Sequence, residues 1–139
     1  MDRPIRVLAV DHNRILSEGI RVLIAMEPGL ELAGSASDAD TAVSLFQEQH
    51  PDVTLMDLDL PSGAGLDAIL RIREIDATAW IIGLITDECD EICAQAIAAG
   101  ASTLLPKDLI ARTLVPIIHR GTGKQPIEAA AAEALKPGA

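Results

Sequence analysis

Asp52-Val53-Thr54-Leu55-Met56-Asp57 runs directly into Leu58-Asp59-Leu60-Pro61-Ser62-Gly63-Ala64-Gly65. A hydrophobic strand that delivers one carboxylate to its C-terminal end and then opens into a Pro/Gly loop offers that carboxylate for chemistry. Three other segments end in polar residues in the same way. Ile5-Arg6-Val7-Leu8-Ala9-Val10 runs into Asp11, Trp80-Ile81-Ile82-Gly83-Leu84-Ile85 into Thr86, and Ser102-Thr103-Leu104-Leu105-Pro106 into Lys107. Ligands of open parallel sheets bind outside the carboxyl ends of the strands, so these four ends are expected to converge. Two carboxylates, a hydroxyl and an ammonium together suit an aspartyl-phosphate site.

Strand-like and helix-like stretches alternate five times. Strands are expected at 5–10, 30–36, 53–57, 80–86 and 102–106. Helices are expected at 13–26, 38–49, 65–75, 88–99 and 109–120. Apolar residues of the helical stretches recur at three- and four-residue steps, as in Ile15, Ile20, Val22, Leu23 and Met26. Asp38 has the position of an N-cap, and Glu27-Pro28-Gly29 and Ala99-Gly100 mark helix exits. Such alternation with short right-handed crossovers predicts an α/β protein with a parallel sheet covered on both faces. The continuous apolar runs of the central strands agree with double coverage.

The 139 residues fit one domain, and a hydrophobic content of 49% supplies its core. Phe46 and Trp80 are the only aromatic residues, so Leu, Ile, Val and Ala must fill that core. A formal charge of −10 argues against direct binding of nucleic acid or an anionic membrane by this chain. Cys89 and Cys93 lie one helical turn apart and read as half-buried thiols, since C-x3-C lacks further ligands for a metal. Without a signal peptide or an apolar run of membrane length, the expected compartment is the cytoplasm. Residues 121–139 change texture: Gly121-Thr122-Gly123-Lys124-Gln125-Pro126 reads as a flexible break, 127–135 as a short Ala-rich helix, and the whole as a linker or tail with no output domain.

Over residues 5–120 this order of features resembles the receiver domain of two-component response regulators. Asp11-His12-Asn13, Ser17-Glu18-Gly19-Ile20, Leu55-Met56-Asp57-Leu58, Lys107-Asp108 and Ile118-His119-Arg120-Gly121 are similar to the NarL/FixJ-type (LuxR-family) subfamily. The resemblance implies a flavodoxin-like (βα)5 three-layer sandwich, with strand order 2-1-3-4-5. Helices 1 and 5 are expected on one face, and helices 2, 3 and 4 on the other. It implies a receiver domain over 1–120 that switches a protein–protein or dimer interface and is not an enzyme. Asp57 is the implied phosphoacceptor from a sensor histidine kinase. Asp11, the Asp57 side chain and the backbone carbonyl of Asp59 are the implied ligands of Mg2+. Thr86 and Lys107 would contact phosphoryl oxygens. Transcription regulation would need an output domain that is absent here, so DNA is expected as a partner only through it.

Four departures from the family pattern stand out. Val10 replaces the first of two adjacent acids, which predicts weak Mg2+ binding. Asp87, then Glu88, follows Thr86 where a small residue is usual. Leu104 replaces an aromatic switch residue, and Asp108 follows Lys107 where proline is usual. These departures keep a second reading alive, a phosphorylation-independent pseudo-receiver that serves interaction or dimerisation. A third, a dehalogenase-type phosphatase using Asp57-Leu58-Asp59, is disfavoured because an acid already ends the first strand. His12 reads as a helix-start residue, and His50 and His119 as surface residues. Gly63 and Gly65 are read as shaping the loop. Ile110, Leu114, Ile117 and Ile118 exceed the needs of one inward stripe, so a symmetric homodimer through helix 5 is expected, with helix 1 or the helix 4–strand 5 edge as partner surface.

Overall fold

The computed structural model describes residues 3–87 and 89–123. Five strands, β1 (Ile5–Val10), β2 (Leu30–Ala36), β3 (Val53–Asp57), β4 (Ile81–Ile85) and β5 (Thr103–Pro106), alternate with five helices. The helices are α1 (Arg14–Ala25), α2 (Ala39–Gln49), α3 (Ala64–Ile75), α4 (Asp90–Ala99) and α5 (Ile110–Thr122). All four strand pairings are parallel, in the order β2-β1-β3-β4-β5. This is the flavodoxin-like order expected.

Alternation along each strand builds two cores. Ile5, Val7 and Ala9 of β1, Val53 and Leu55 of β3, and Ile82 and Leu84 of β4 face α1 and α5. Leu8, Val10, Met56, Ile81 and Ile85 face α2, α3 and α4. The period of two therefore assigns α1 and α5 to one layer and the other three helices to the opposite one. Capping sets the helix starts. Asn13 Oδ1 accepts from the Leu16 N–H at 3.1 Å, and Asp38 Oδ1 from the Thr41 N–H at 2.8 Å.

Several boundaries and burials differ from expectation. Ser102 precedes β5: its N–H donates to the Ile81 carbonyl at 2.8 Å, but the returning Ile81 N–H goes to the Ser102 hydroxyl at 3.0 Å. The expected start of helix 4 at Glu88 and the expected helix over 127–135 lie outside the described residues. The break expected from Gly121 begins later, because α5 continues to Thr122. Gly121 sits in that helix against Trp80, where a Cβ would come within 2.3 Å of the indole. Ile110, Leu114 and Ile118 are buried, and Ile117 packs partly buried on the same cluster. The apolar excess read on helix 5 thus packs on the core under α1 and α5. His119, expected at the surface, is 4% exposed. Of the two cysteines, Cys93 is half-buried as expected and Cys89 is exposed, since it precedes the first turn of α4.

Candidate functional site

The carboxyl ends of β1, β3, β4 and β5 place Asp11, Asp57, Thr86 and Lys107 in one neighbourhood. Asp57, the last residue of β3, is fully buried. Its Oδ1 lies 2.7 Å from Lys107 Nζ and accepts the Asp59 N–H at 2.8 Å. Its Oδ2 lies 2.5 Å from His12 Nδ1 and accepts the His12 backbone N–H at 3.3 Å. Burial raises the pKa of Asp57, but the hydrogen bonds from Lys107, His12 and two backbone N–H groups outweigh it and hold the carboxyl below its ordinary range. Burial likewise disfavours the Lys107 ammonium, and the bonds to Asp57 and Asp59 reverse this, leaving its pKa raised. The pair is therefore ionised at neutral pH.

Asp11 is 4% exposed. Its Oδ1 accepts the Asn13 N–H at 2.6 Å, whereas Oδ2 is buried with no hydrogen-bond partner among the described residues. Burial pushes its pKa up; the Asn13 bond opposes that and the Asp57 charge adds to it. A buried carboxylate oxygen lacking a donor, beside a second carboxylate, is electrostatically incomplete and favours a cation. Hard oxygen donors of this kind fit Mg2+. A cleft of about 300 Å³ opens beside them, bordered by Asp11, His12, Arg14, Glu18, Ser35 and Ser37.

The loop after β3 serves the site through close packing. A Cβ on Gly65 would lie 2.3 Å from the backbone carbonyl oxygen of Asp57, so only glycine lets the first turn of α3 approach β3 this closely. Two side chains take parts that the sequence did not reveal. His12, read as a helix-start residue, contacts the phosphoacceptor candidate directly. Asp59, read only for its backbone, uses its side chain as well. Its Oδ2 accepts the Thr86 hydroxyl at 2.5 Å and the Thr86 N–H at 3.1 Å, and lies 3.1 Å from Lys107 Nζ. The sequence signals were adjacency to Asp11 and a two-residue offset from Asp57. Val10, expected to leave an apolar wall on the cleft, is fully buried in the core under α2, α3 and α4. Asp87 is exposed, and Leu104 packs partly buried on that core.

A parallel five-stranded sheet in the order β2-β1-β3-β4-β5, with an acid–lysine pair at its carboxyl edge, defines a flavodoxin-like α/β domain. The response regulator receiver domain family matches residues 7–119, and the chain belongs to that family. The nitrate/nitrite response regulator protein NarL of Escherichia coli K12 is 28% identical over 134 residues, which are 96% of this chain and 61% of that protein. A crystal structure of a LuxR-family two-component response regulator from Aurantimonas sp. SI85-9A1 superposes with a TM-score of 0.79 at 32% identity, covering 94% of this chain and 96% of that one. A protein-glutamate methylesterase/protein-glutamine glutaminase of Anaeromyxobacter dehalogenans is 36% identical over 76% of this chain but only 31% of its own length. The relatives support the NarL/FixJ-type subfamily. The chain spans about three-fifths of NarL, and receiver domains themselves are generally not enzymes. Among the described residues no helix is long and apolar enough to cross a membrane.

Proposed function

We propose that this chain accepts a phosphoryl group on Asp57 from a sensor histidine kinase and uses it to switch a protein interface. The observation that carries this reading is the 2.7 Å pairing of Lys107 with a buried strand-end carboxylate beside Asp11. An Asp57 oxygen attacks the phosphorus of a phosphohistidine. The P–N bond breaks, its electron pair and a proton end on the donor imidazole, and a mixed anhydride forms on Asp57. Asp11, the Asp57 carboxylate and the Asp59 carbonyl are the groups that would hold Mg2+, whose bound charge supplies stabilisation of the phosphoryl oxygens. Lys107 offers a second positive group to those oxygens. Thr86 must leave Asp59 to reach them, and that exchange is the switching motion this reading assigns.

The receiver domain is read as running to the end of α5 at Thr122, two residues beyond the expected 120, with a linker or tail after it. Regulation of transcription through a DNA-binding output domain, suggested by likeness to relatives named as transcriptional regulatory proteins, belongs to the same proposal. A homodimer also does, but not through the buried stripe of α5. An apolar surface for it lies on α1, one of the two partner surfaces expected, where Val22 and Met26 are exposed along a groove shared with Ile110 and Ala111. The engaged Lys107–Asp57 pair favours the phosphorylated switch over a phosphorylation-independent module. Acetyl phosphate with Mg2+ tests it: intact mass rises by one phosphoryl group, and Asp57→Asn abolishes the gain. No gain in the unsubstituted chain overturns the reading.

A further inference from the structure

We infer that Asp11, His12 and Asp57 form a mixed nitrogen–oxygen site that binds a borderline transition cation such as Zn2+ or Co2+ more tightly than Mg2+, with His12 as the selecting ligand. One ligand atom from each of the three residues lies within 4.8 Å of the other two. The second observation is the buried Asp11 Oδ2, which has no partner among the described residues. The third is the 2.5 Å approach of His12 Nδ1 to Asp57 Oδ2. That contact sets an imidazole nitrogen beside the buried carboxylates, so a divalent cation can take one donor from each of the three residues.

The donor set sets the preference. Magnesium demands near-octahedral oxygen coordination and is indifferent to imidazole, whereas nitrogen donors suit Zn2+, Co2+ and Ni2+. Val10 points into the core under α2, α3 and α4, so the first strand contributes one carboxylate to this set. With fewer hard oxygens and an imidazole at hand, the balance moves toward the nitrogen-binding cations. His12 can follow the ion because its side chain is 41% exposed, while Asp11 and Asp57 stay fixed by burial.

The inference rests on the receiver reading of the same pocket, and the experiment separates the two. Calorimetric titration with Mg2+, Zn2+ and Co2+ is done on the Cys89→Ser/Cys93→Ser chain, which removes competing thiols, and on the same chain carrying His12→Ala or His12→Asn. Zn2+ is expected to bind at least about tenfold tighter than Mg2+. Either His12 substitution should weaken Zn2+ by about 10- to 100-fold while changing Mg2+ by less than about threefold, and should alter the visible spectrum of bound Co2+. His12→Asn keeps a polar group and guards against a folding defect. Zn2+ affinity and Co2+ spectrum independent of His12 would overturn the assignment. Acetyl phosphate labelling with Mg2+ is run in parallel. Labelling together with His12-independent Zn2+ binding sinks the metal inference alone. Absence of labelling, together with His12-dependent Zn2+ binding, sinks the receiver reading and upholds the site.

Discussion

Thr86 donates both its hydroxyl, at 2.5 Å, and its backbone N–H, at 3.1 Å, to one oxygen of Asp59. The same Asp59 oxygen lies 3.1 Å from Lys107 Nζ. Asp59 therefore occupies two of the three groups that a phosphoryl on Asp57 needs, and it adds a negative charge beside it. Asp59→Asn keeps the backbone carbonyl and removes the charge. A charge-assisted hydrogen bond contributes about 1.5–3 kcal/mol, and the 32% exposure of the Asp59 side chain reduces that to about 1 kcal/mol. The phosphorylated fraction at fixed acetyl phosphate should rise roughly fivefold, read by intact mass. An unchanged fraction would mean that Asp59 does not compete with the phosphoryl group.

Lys107 neutralises a fully buried carboxylate. Lys107→Ala leaves Asp57 charged and buried, and loss of one partner of such a pair costs about 3 kcal/mol. Adding Asp57→Asn removes the uncompensated charge and should recover most of that loss. Urea midpoints of the two single variants and the double variant measure the coupling. Additive losses would show that the pair is not coupled in solution.

Val10→Asp restores an acid next to Asp11. Mg2+ should bind more tightly and small donors should label Asp57 faster. Since Val10 is fully buried, the melting temperature should fall at the same time. Magnesium titration is the check, and an affinity equal to that of the unsubstituted chain would overturn the assignment of weak binding to Val10.

His119 is buried, and both its ring nitrogens lack a partner among the described residues. Burial lowers its pKa, with a smaller opposing effect of the Glu27 charge. The unfolded chain then binds the proton at a higher pH than the folded one. Stability from this group is complete above the unfolded value of about 6.5 and falls as pH drops below it. His119→Leu should flatten the urea midpoint between about pH 7 and pH 5 relative to the unsubstituted chain. Parallel curves for the two proteins would remove His119 as the cause.

Self-association, if it uses the groove of α1, should respond to Met26→Glu and not to an exposed change on α2. Light scattering across concentration, with beryllofluoride and Mg2+ to mimic the phosphoryl group, should show a dimer that Met26→Glu disrupts. A strict monomer under both conditions excludes the dimer.

Period and punctuation sufficed for a parallel sheet covered on both faces and for the convergence of Asp11, Asp57, Thr86 and Lys107, whereas the strand order and the sorting of helices between layers came with the family resemblance. A strand's alternation and the polar residue at its end are local properties of the chain, and sheet geometry carries every strand end to one edge. The contents of the pocket were another matter. His12 meets Asp57 across 45 residues of chain, and Asp59 reaches Thr86 across 27. No local propensity encodes which neighbour a polar side chain selects once the strands are paired. The same holds for burial: Ile110, Leu114 and Ile118 recur at four-residue steps as one inward stripe, but Ile117 and His119 flank it. Which flanks of a stripe are covered depends on the sheet and the helix packed beside it, so only the tertiary structure decided that a histidine would go inside and that Ile117 would be partly covered.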